Sequence, residues 1–186
     1  IGLLAETTYS SHVEVIADST DGLVNLTGIA TGTVDGSVFV TDSGSQRVLE
    51  VFADGSVNSI ADSTDGISNP TGITSAYSEV GKVAFVTDSG SKDIFKIKTD
   101  GTVLPFSVTL PFGNNLTGIA VTGIQEDIFV TDSGLDSIFE FPDGLVTIAS
   151  QDSTGGRIDE PQSITVGSDG TLYVVENGFD AILRVD

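Results

Sequence analysis

The sequence predicts an all-β fold, a β-propeller of four blades with four strands in each blade. The first observation is a repeated stretch, which begins FVTDSG at Phe39, Phe85 and Phe129 and appears in altered form as YVVENG at Tyr173. The intervals between these copies are 46, 44 and 44 residues. A period of 40 to 50 residues is typical of propellers and other repeat architectures.

The second observation is another motif that keeps the same period. LTGIA begins at Leu26 and Leu116, PTGIT begins at Pro70, and PQSIT begins at Pro161. Two separate motifs in one phase indicate that the chain is built from one repeated unit.

The third observation is the pattern of short strands and tight turns inside a unit. Val38 and Val40 alternate with Phe39, which predicts a strand rather than a helix. We predict four strands per unit, in the first unit TGIA, SVFV, RVLEVF and SVNSIA. The Asp35-Gly36 and Asp54-Gly55 pairs supply the turns, because glycine accepts the positive φ that tight turns need. A four-stranded meander, repeated, is the pattern of a propeller blade.

The two ends of the sequence predict how the last blade is completed. HVEVIADSTDG from His12 aligns with SVNSIADSTDG from Ser56, whereas the last unit stops after its third strand at Asp186. We therefore expect the N-terminal strand to complete the last blade and to remove its free edge. The predicted organisation is a tail or contact arm over 1–11 and a propeller over 12–186, with units at about 26–70, 71–115, 116–161, and 162–186 plus 12–25. Two alternatives are strand exchange with a neighbouring molecule, giving a ring dimer or a filament, and membership of a longer array.

The composition of the sequence bears on the classes of partner that the protein could bind and on its location in or outside the cell. The chain has 27 acidic and 7 basic residues, a net charge of −20 and no Cys. Such a charge repels nucleic acid, and no apolar run reaches the roughly 20 residues that a membrane span needs. The sequence also lacks Met, so we expect that it does not begin at a start codon, and a removed signal peptide is one explanation. We predict a secreted or cell-surface protein.

The motifs resemble those of a known family. PTGI at Pro70 and FVTDSGSQR ending at Arg47 resemble the NHL repeat, and the resemblance extends from about residue 12 to the C-terminus. It implies a propeller, usually of six blades, in a family of binding platforms, scaffolds and a few enzymes. The sequence departs from the pattern at Lys92-Asp93 and Asp136-Ser137, where the usual Arg is missing.

One residue of each repeat is a candidate metal ligand. Strand parity places the repeated acids on the same face as the DSTDG loops. The predicted metal residues are Asp42, Asp88, Asp132, Glu176, Asp62 and Asp65. Hard oxygen ligands in loops suit Ca²⁺, so calcium is the cofactor that would fit. The alternative is that each carboxylate accepts N–H groups of its own turn.

Two further features are candidate functional sites, the glycosylation sequons and the single histidine. Asn25-Leu-Thr and Asn115-Leu-Thr are glycosylation sequons, although the repeat itself generates Asn at this position. His12 is the single histidine, so a histidine-based metal or catalytic site is not supported.

These observations favour a non-catalytic, extracytoplasmic binding or assembly module with a protein partner or self-association. It would have no nucleic-acid partner and no membrane insertion. The first alternative is a metal-dependent propeller enzyme similar to a gluconolactonase or to streptogramin lyase. The resemblance to a gluconolactonase implies an axial set of Glu, Asn and Asp, for which Asn25, Asn69 and Asn115 are candidates. The histidines on which the lyases depend have no located equivalents here. The second alternative is the structural subunit of a surface filament.

Overall fold

The computed structural model describes residues 13–78, 81–106, 115–122, 127–141, 146–150 and 158–185. The described residues form four antiparallel sheets that follow one another along the chain. The first blade contains β1 (Leu26–Thr31), β2 (Val38–Asp42), β3 (Arg47–Val51) and β4 (Val57–Ala61). The second contains β5 (Pro70–Ser78), β6 (Gly81–Asp88), β7 (Asp93–Lys98) and β8 (Val103–Phe106). The third contains β9 (Leu116–Thr122), β10 (Asp127–Asp132), β11 (Ser137–Phe141) and β12 (Val146–Ser150), and the fourth contains β13 (Pro161–Val166), β14 (Leu172–Glu176) and β15 (Ala181–Val185).

Each sheet is a meander in which every strand pairs with the next one along the chain. The four strands predicted for the first unit are therefore confirmed. Gly36 and Gly55 adopt positive φ angles of 82° and 85° in the predicted hairpin turns. The DSTD segments form short 3₁₀ turns at Ser19–Asp21 and Ser63–Asp65, which lead into the first strands of the first two blades. The described part of the chain contains no helix of the length and hydrophobicity that a membrane crossing requires.

The first strand of each blade lies innermost, because β1, β5, β9 and β13 contact one another in series. Glycine in the Thr-Gly-Ile motif permits this close approach. A Cβ atom added at Gly72 would lie 2.4 Å from the carbonyl oxygen of Thr117, which is closer than real Cβ atoms approach an oxygen. A Cβ atom added at Gly118 would lie 2.8 Å from Cα of Ser163. The glycine of the motif thus sets the spacing between neighbouring blades.

The isoleucine of the same motif fills the interface with the preceding blade. Ile73 packs in a buried cluster with Phe39 and Val48 of the first blade. The next two interfaces repeat this arrangement, with Ile119 against Phe85 and Ile94, and Ile164 against Phe129 and Ile138. The described residues therefore include three similar core layers between neighbouring blades, built from one repeated set of positions.

The structure corrects the predicted completion of the last blade. Residues 13–17 form no strand, and the last sheet contains only β13, β14 and β15. The physical reason is the shape of the array: the described inner strands show no contact from β13 back to β1 of the extent seen between neighbours. Of the described N-terminal residues, Ile16 lies beside the β3–β4 turn of the first blade, because a Cβ atom added at Gly55 would lie 2.9 Å from the carbonyl oxygen of Ile16. The predicted tail over 1–11 and His12 lie outside the described residues.

Candidate functional site

The repeated acids anchor loops in the interior of the blades. Asp42, Asp88, Asp132 and Glu176 are all buried. Oδ1 of Asp88 accepts hydrogen bonds from the backbone N–H groups of Asn69, Gly90 and Ser91, each at 2.9 Å. Oδ2 of Asp88 accepts the N–H of Ser68 at 2.7 Å. One carboxylate thus joins the turn after β6 to the loop that precedes β5.

Asp42 has the same role in the first blade. Its carboxylate accepts the N–H groups of Asn25 at 2.9 Å, Val24 at 3.2 Å and Ser45 at 3.2 Å. Burial alone would raise the pKa of Asp42, but the hydrogen bonds from Asn25, Ser45 and Val24 outweigh it and hold the pKa below its ordinary value. Arg47 adds a cation, since its Nη2 lies 3.7 Å from Oδ2 of Asp42. The carboxylate is therefore stabilised in its charged form.

The third and fourth blades keep part of this arrangement. Asp132 accepts the N–H groups of Asn115, Gly134 and Leu135 at 2.8 to 3.1 Å. Oδ2 of Asp132 is buried without a hydrogen-bond partner among the described residues. The longer side chain of Glu176 accepts the N–H of Phe179 at 3.1 Å.

The second repeat has Asp93 where the first has Arg47, and the structure shows the consequence. Asp93 occupies the position that Arg47 occupies in the first blade, and so it faces the carboxylate of Asp88. Burial first, and the charge of Asp88 second, raise the pKa of Asp93 above its ordinary value. The second blade therefore contains a like-charge pair where the first blade has an ion pair.

The exposed loop acids cap their own turns. Oδ1 of Asp62 accepts the N–H and the hydroxyl of Thr64, both at 2.7 Å, while the N–H of Asp62 donates to Oδ2 of Asp65 at 3.1 Å. The same capping box is present at Asp18 and Asp21. The described residues include no group of three or more His, Asp or Glu side chains placed to hold a metal ion. The calcium site stays a prediction, and the geometry explains these acids as loop anchors and caps.

The sequon asparagines have a structural role. The side-chain amide of Asn25 donates to the hydroxyl of Ser43 at 2.7 Å, and that of Asn115 donates to Ser133 at 2.8 Å. Asn69, whose following Pro blocks glycosylation, makes the same bond to Ser89 at 2.7 Å. This hydrogen bond from Asn to Ser therefore explains the repeated Asn in all three units. Glycosylation stays a prediction.

A groove with a volume of about 790 Å³ runs along the inner strands. Its lining residues are 27–31, 71–75, 117–120 and 162–165. All eighteen are neutral: threonines, serines and one glutamine alternate with glycine, alanine and isoleucine. Because these side chains offer hydroxyl and amide groups but no group that titrates near neutral pH, the lining is suited to hydrogen bonding. We name this feature the axial groove.

Threonine pairs form the wall of the axial groove and join neighbouring blades. Oγ1 of Thr27 lies 2.9 Å from the carbonyl oxygen of Pro70, and Oγ1 of Thr41 lies 2.9 Å from that of Thr71. Thr71 and Thr117 repeat the contact with the carbonyls of Leu116 and Pro161, both at 2.8 Å. We call each pair a threonine clasp. In the last unit, Gln162 and Val175 occupy the two clasp positions.

One charged group lies beside the groove. Nζ of Lys82 lies 2.7 Å from Oγ1 of Thr31, which is 3.0 Å from Oγ of Ser75. The ammonium group also lies 5.5 Å from the ring centre of the exposed Tyr77. Sequence analysis did not identify these residues, although the first interval of 46 residues, against 44 for the others, marks the longer β5–β6 hairpin that carries Tyr77 and Lys82.

No protein-family model matches this sequence, and no curated protein sequence matches it. Solved structures do match. A streptogramin B lyase has a TM-score of 0.68 and 22% identity, covering 86% of this chain and 51% of that one. A gluconolactonase from Xanthomonas campestris has a TM-score of 0.68 and 21% identity, covering 87% and 58%. A chain of the nidogen/laminin complex has a TM-score of 0.67 and 19% identity, covering 88% and 60%.

The chain spans about half to three-fifths of the length of these structures. The likenesses support a propeller in general, while the narrower resemblance to the NHL repeat rests on the sequence motifs. At 19 to 22% identity they show the fold and not an activity. This chain is an all-β protein of the β-propeller fold, with four blades in the arrangement described above.

Proposed function

We propose that the chain is a non-catalytic, extracytoplasmic binding module that holds a segment of a protein partner in the axial groove. The observation that carries this proposal is the neutral, hydrogen-bonding lining of the groove on rigid inner strands. Hydroxyl and amide groups suit the backbone amides and uncharged polar side chains of an extended segment. The strongly negative chain, with a net charge of −20, favours a partner without an excess of acidic residues.

The clasps support this assignment through rigidity. Threonine hydroxyls bridge blade to blade along the groove, so its wall is held by side chains that already have their partners. A site that is rigid before binding loses less conformational entropy when the ligand arrives. Lys82 would attract a carboxylate of the segment at one end of the groove, where its ammonium group lies beside Thr31.

A display library of random linear peptides, panned on the immobilised protein, tests the proposal. Enriched peptides are measured again on the variant Thr165→Glu, which places a charge in the groove lining, and on Asn58→Glu, which places the same charge on the exposed outer strand β4. We expect most enriched peptides to lose at least about tenfold in affinity on Thr165→Glu and to bind Asn58→Glu like the parent. Peptides that bind both variants equally would contradict binding in the groove.

The second candidate is a propeller enzyme of the lyase or lactonase type. The fold likeness to a streptogramin B lyase and to a gluconolactonase favours it. Hydrolysis of gluconolactone, followed with and without added Ca²⁺, separates the two candidates. We expect no rate above that of buffer, and acceleration that Thr165→Glu abolishes would support the enzyme instead.

A further inference from the structure

A second cavity lies between the first and second blades. Its volume is about 490 Å³, which is within the range of small-molecule sites. Its walls come from the loop after β1, from strands β2, β3 and β4, and from the turn between β7 and β8. It shares no lining residue with the axial groove. We call it the interblade cavity.

A buried carboxylate lines the interblade cavity. Glu50 is only 5% exposed. Its Oε1 accepts hydrogen bonds from the backbone N–H of Thr33 at 2.7 Å, from the hydroxyl of Thr33, and from the hydroxyl of Ser37 at 2.7 Å. Its Oε2 accepts no hydrogen bond from the described residues, and the carboxylate forms no ion pair with them. One oxygen is therefore held by the β1–β2 loop, and the other is left for an occupant of the cavity.

Strand alternation explains why the lysine nearest the cavity does not pair with Glu50. On β7, Ile97 packs with Phe39 of the first blade, whereas Ile94 packs with residues of the third blade. Successive side chains of a strand point to opposite faces, so Lys98 stands on the same face as Ile94. A buried carboxylate oxygen without a donor has lost its hydration and gained no hydrogen bond, which is unfavourable. A donor that enters the cavity would remove this cost.

The second blade shows which kind of donor fits this position. Glu50 lies opposite Phe39 in the pairing of β2 with β3, and Lys96 lies opposite Phe85 in the same way. Nζ of Lys96 lies 5.3 Å from the ring centre of Phe85, which is within cation–π range. In the second blade an ammonium group therefore lies over the phenylalanine. In the first blade the phenylalanine is kept, and a carboxylate takes the place of the ammonium group.

We infer that the interblade cavity binds a small primary amine, whose ammonium group donates to Oε2 of Glu50 and lies against the ring of Phe39. An ammonium group only donates hydrogen bonds, so it complements an oxygen that lacks a donor. Ile60 and Ile97 line the same cavity and suit a short alkyl chain. The net charge of −20 also raises the local concentration of cations around the protein. The inference does not depend on what the axial groove binds.

Two-dimensional amide NMR of the parent chain, titrated with n-butylammonium chloride, tests the inference. Sodium chloride at the same ionic strength is the reference. For so small a probe we expect a Kd on the order of 1 mM. The amide signals of Thr33, Phe39 and Gly101 around the cavity should shift, while those of Gly72 and Gly118 in the axial groove should not. Butan-1-ol has the same alkyl chain without the charge and should bind at least about tenfold more weakly.

The variant Glu50→Gln tests the role of the free oxygen. It keeps the size of the side chain and an oxygen for Thr33 and Ser37, but replaces Oε2 by an NH₂ group, which cannot accept from an ammonium group. It should weaken binding of the probe at least about tenfold. Glu140→Gln is the matched control, because Glu140 lies opposite Phe129 in the third blade, and it should bind the probe like the parent. Thermal melting establishes that both variants are folded.

Several results would overturn the inference. One is the absence of shifts at Thr33 and Phe39 with about 50 mM probe, and another is equal shifts with sodium chloride, which would indicate non-specific attraction of cations. Equal affinities of the parent and Glu50→Gln would also overturn it, as would an equal loss in Glu140→Gln. The parent titration decides the question even if Glu50→Gln does not fold, because butan-1-ol removes the charge from the probe and leaves the protein unchanged.

Discussion

Replacing Asp88 by Asn tests whether the repeated acid is a loop anchor. The substitution keeps one oxygen, which can still accept from Asn69, Gly90 and Ser91, but replaces Oδ2 by an NH₂ group that faces the N–H of Ser68. The site then loses one charge-assisted hydrogen bond, leaves a buried donor unpaired and weakens the other three bonds. Together these changes should cost about 3–5 kcal/mol, given about 1.5–3 kcal/mol for a bond to a charged group and a similar penalty for an unpaired buried donor.

Differential scanning calorimetry of Asp88→Asn and Asp54→Asn measures this cost. Asp54 is exposed and, within the described part of the chain, accepts from the N–H and hydroxyl of Ser56 in its own turn, at 2.9 and 2.6 Å, so it controls for the loss of a charge. At about 2–4 °C per kcal/mol for a protein of this size, Asp88→Asn should lower Tm by roughly 6–20 °C. Equal shifts for the two variants would refute the reasoning, because burial and the four N–H contacts would then contribute nothing.

Four further predictions follow from the same contacts. Thr117→Val removes a clasp to the Pro161 carbonyl at 2.8 Å and should cost about 1–3 kcal/mol in urea unfolding, while Thr165→Val in the same groove should be neutral. Gly72→Ala brings a Cβ atom to 2.4 Å from the Thr117 carbonyl oxygen and should lower the free energy of unfolding more than Gly81→Ala does. The Cβ atom of Gly81→Ala meets no atom within 4 Å, so its cost is the left-handed backbone strain of roughly 1–2 kcal/mol. Asp93→Arg should raise Tm because it replaces a like-charge pair by the ion pair seen between Arg47 and Asp42, and Asp93→Asn should recover only part of that gain. The pKa of folded Asp42 lies below the ordinary 3.8, so the stability that this carboxylate contributes is complete above pH 3.8 and is lost as the pH falls through the folded pKa. The free energy of unfolding, measured from pH 5 to pH 2, should therefore depend less steeply on pH in Asp42→Asn than in the parent.

The sequence predicted the blades well because the motifs that form a blade recur in several units. Thr-Gly-Ile and Val-Thr-Asp recur wherever a clasp, a close approach and a loop anchor are needed, so strand number and order follow from one unit. The completion of the last blade was predicted wrongly, because the alignment of His12 with Ser56 shows what residues 13–17 resemble and not where the far end of the array lies.

The candidate site was harder to predict for a similar reason. The repeated acids attract attention as metal ligands, yet a one-dimensional pattern does not show that their oxygens already accept backbone N–H groups. The axial groove consists of threonine, serine and glycine, which individually suggest no site. It becomes visible only when the inner strands are placed side by side, and the position of Lys82 beside Thr31 depends on contact between two blades.

The serial contact of the blades has a consequence for folding. Among the described strands, the extensive contacts between blades join each blade to its neighbours in the chain, so the protein should behave as a short linear array whose stability is a sum of blade terms and interface terms. An end blade can open by breaking one interface, whereas a middle blade must break two. Amide hydrogen exchange should therefore be slowest in the second and third blades, and unfolding should proceed inward from the ends.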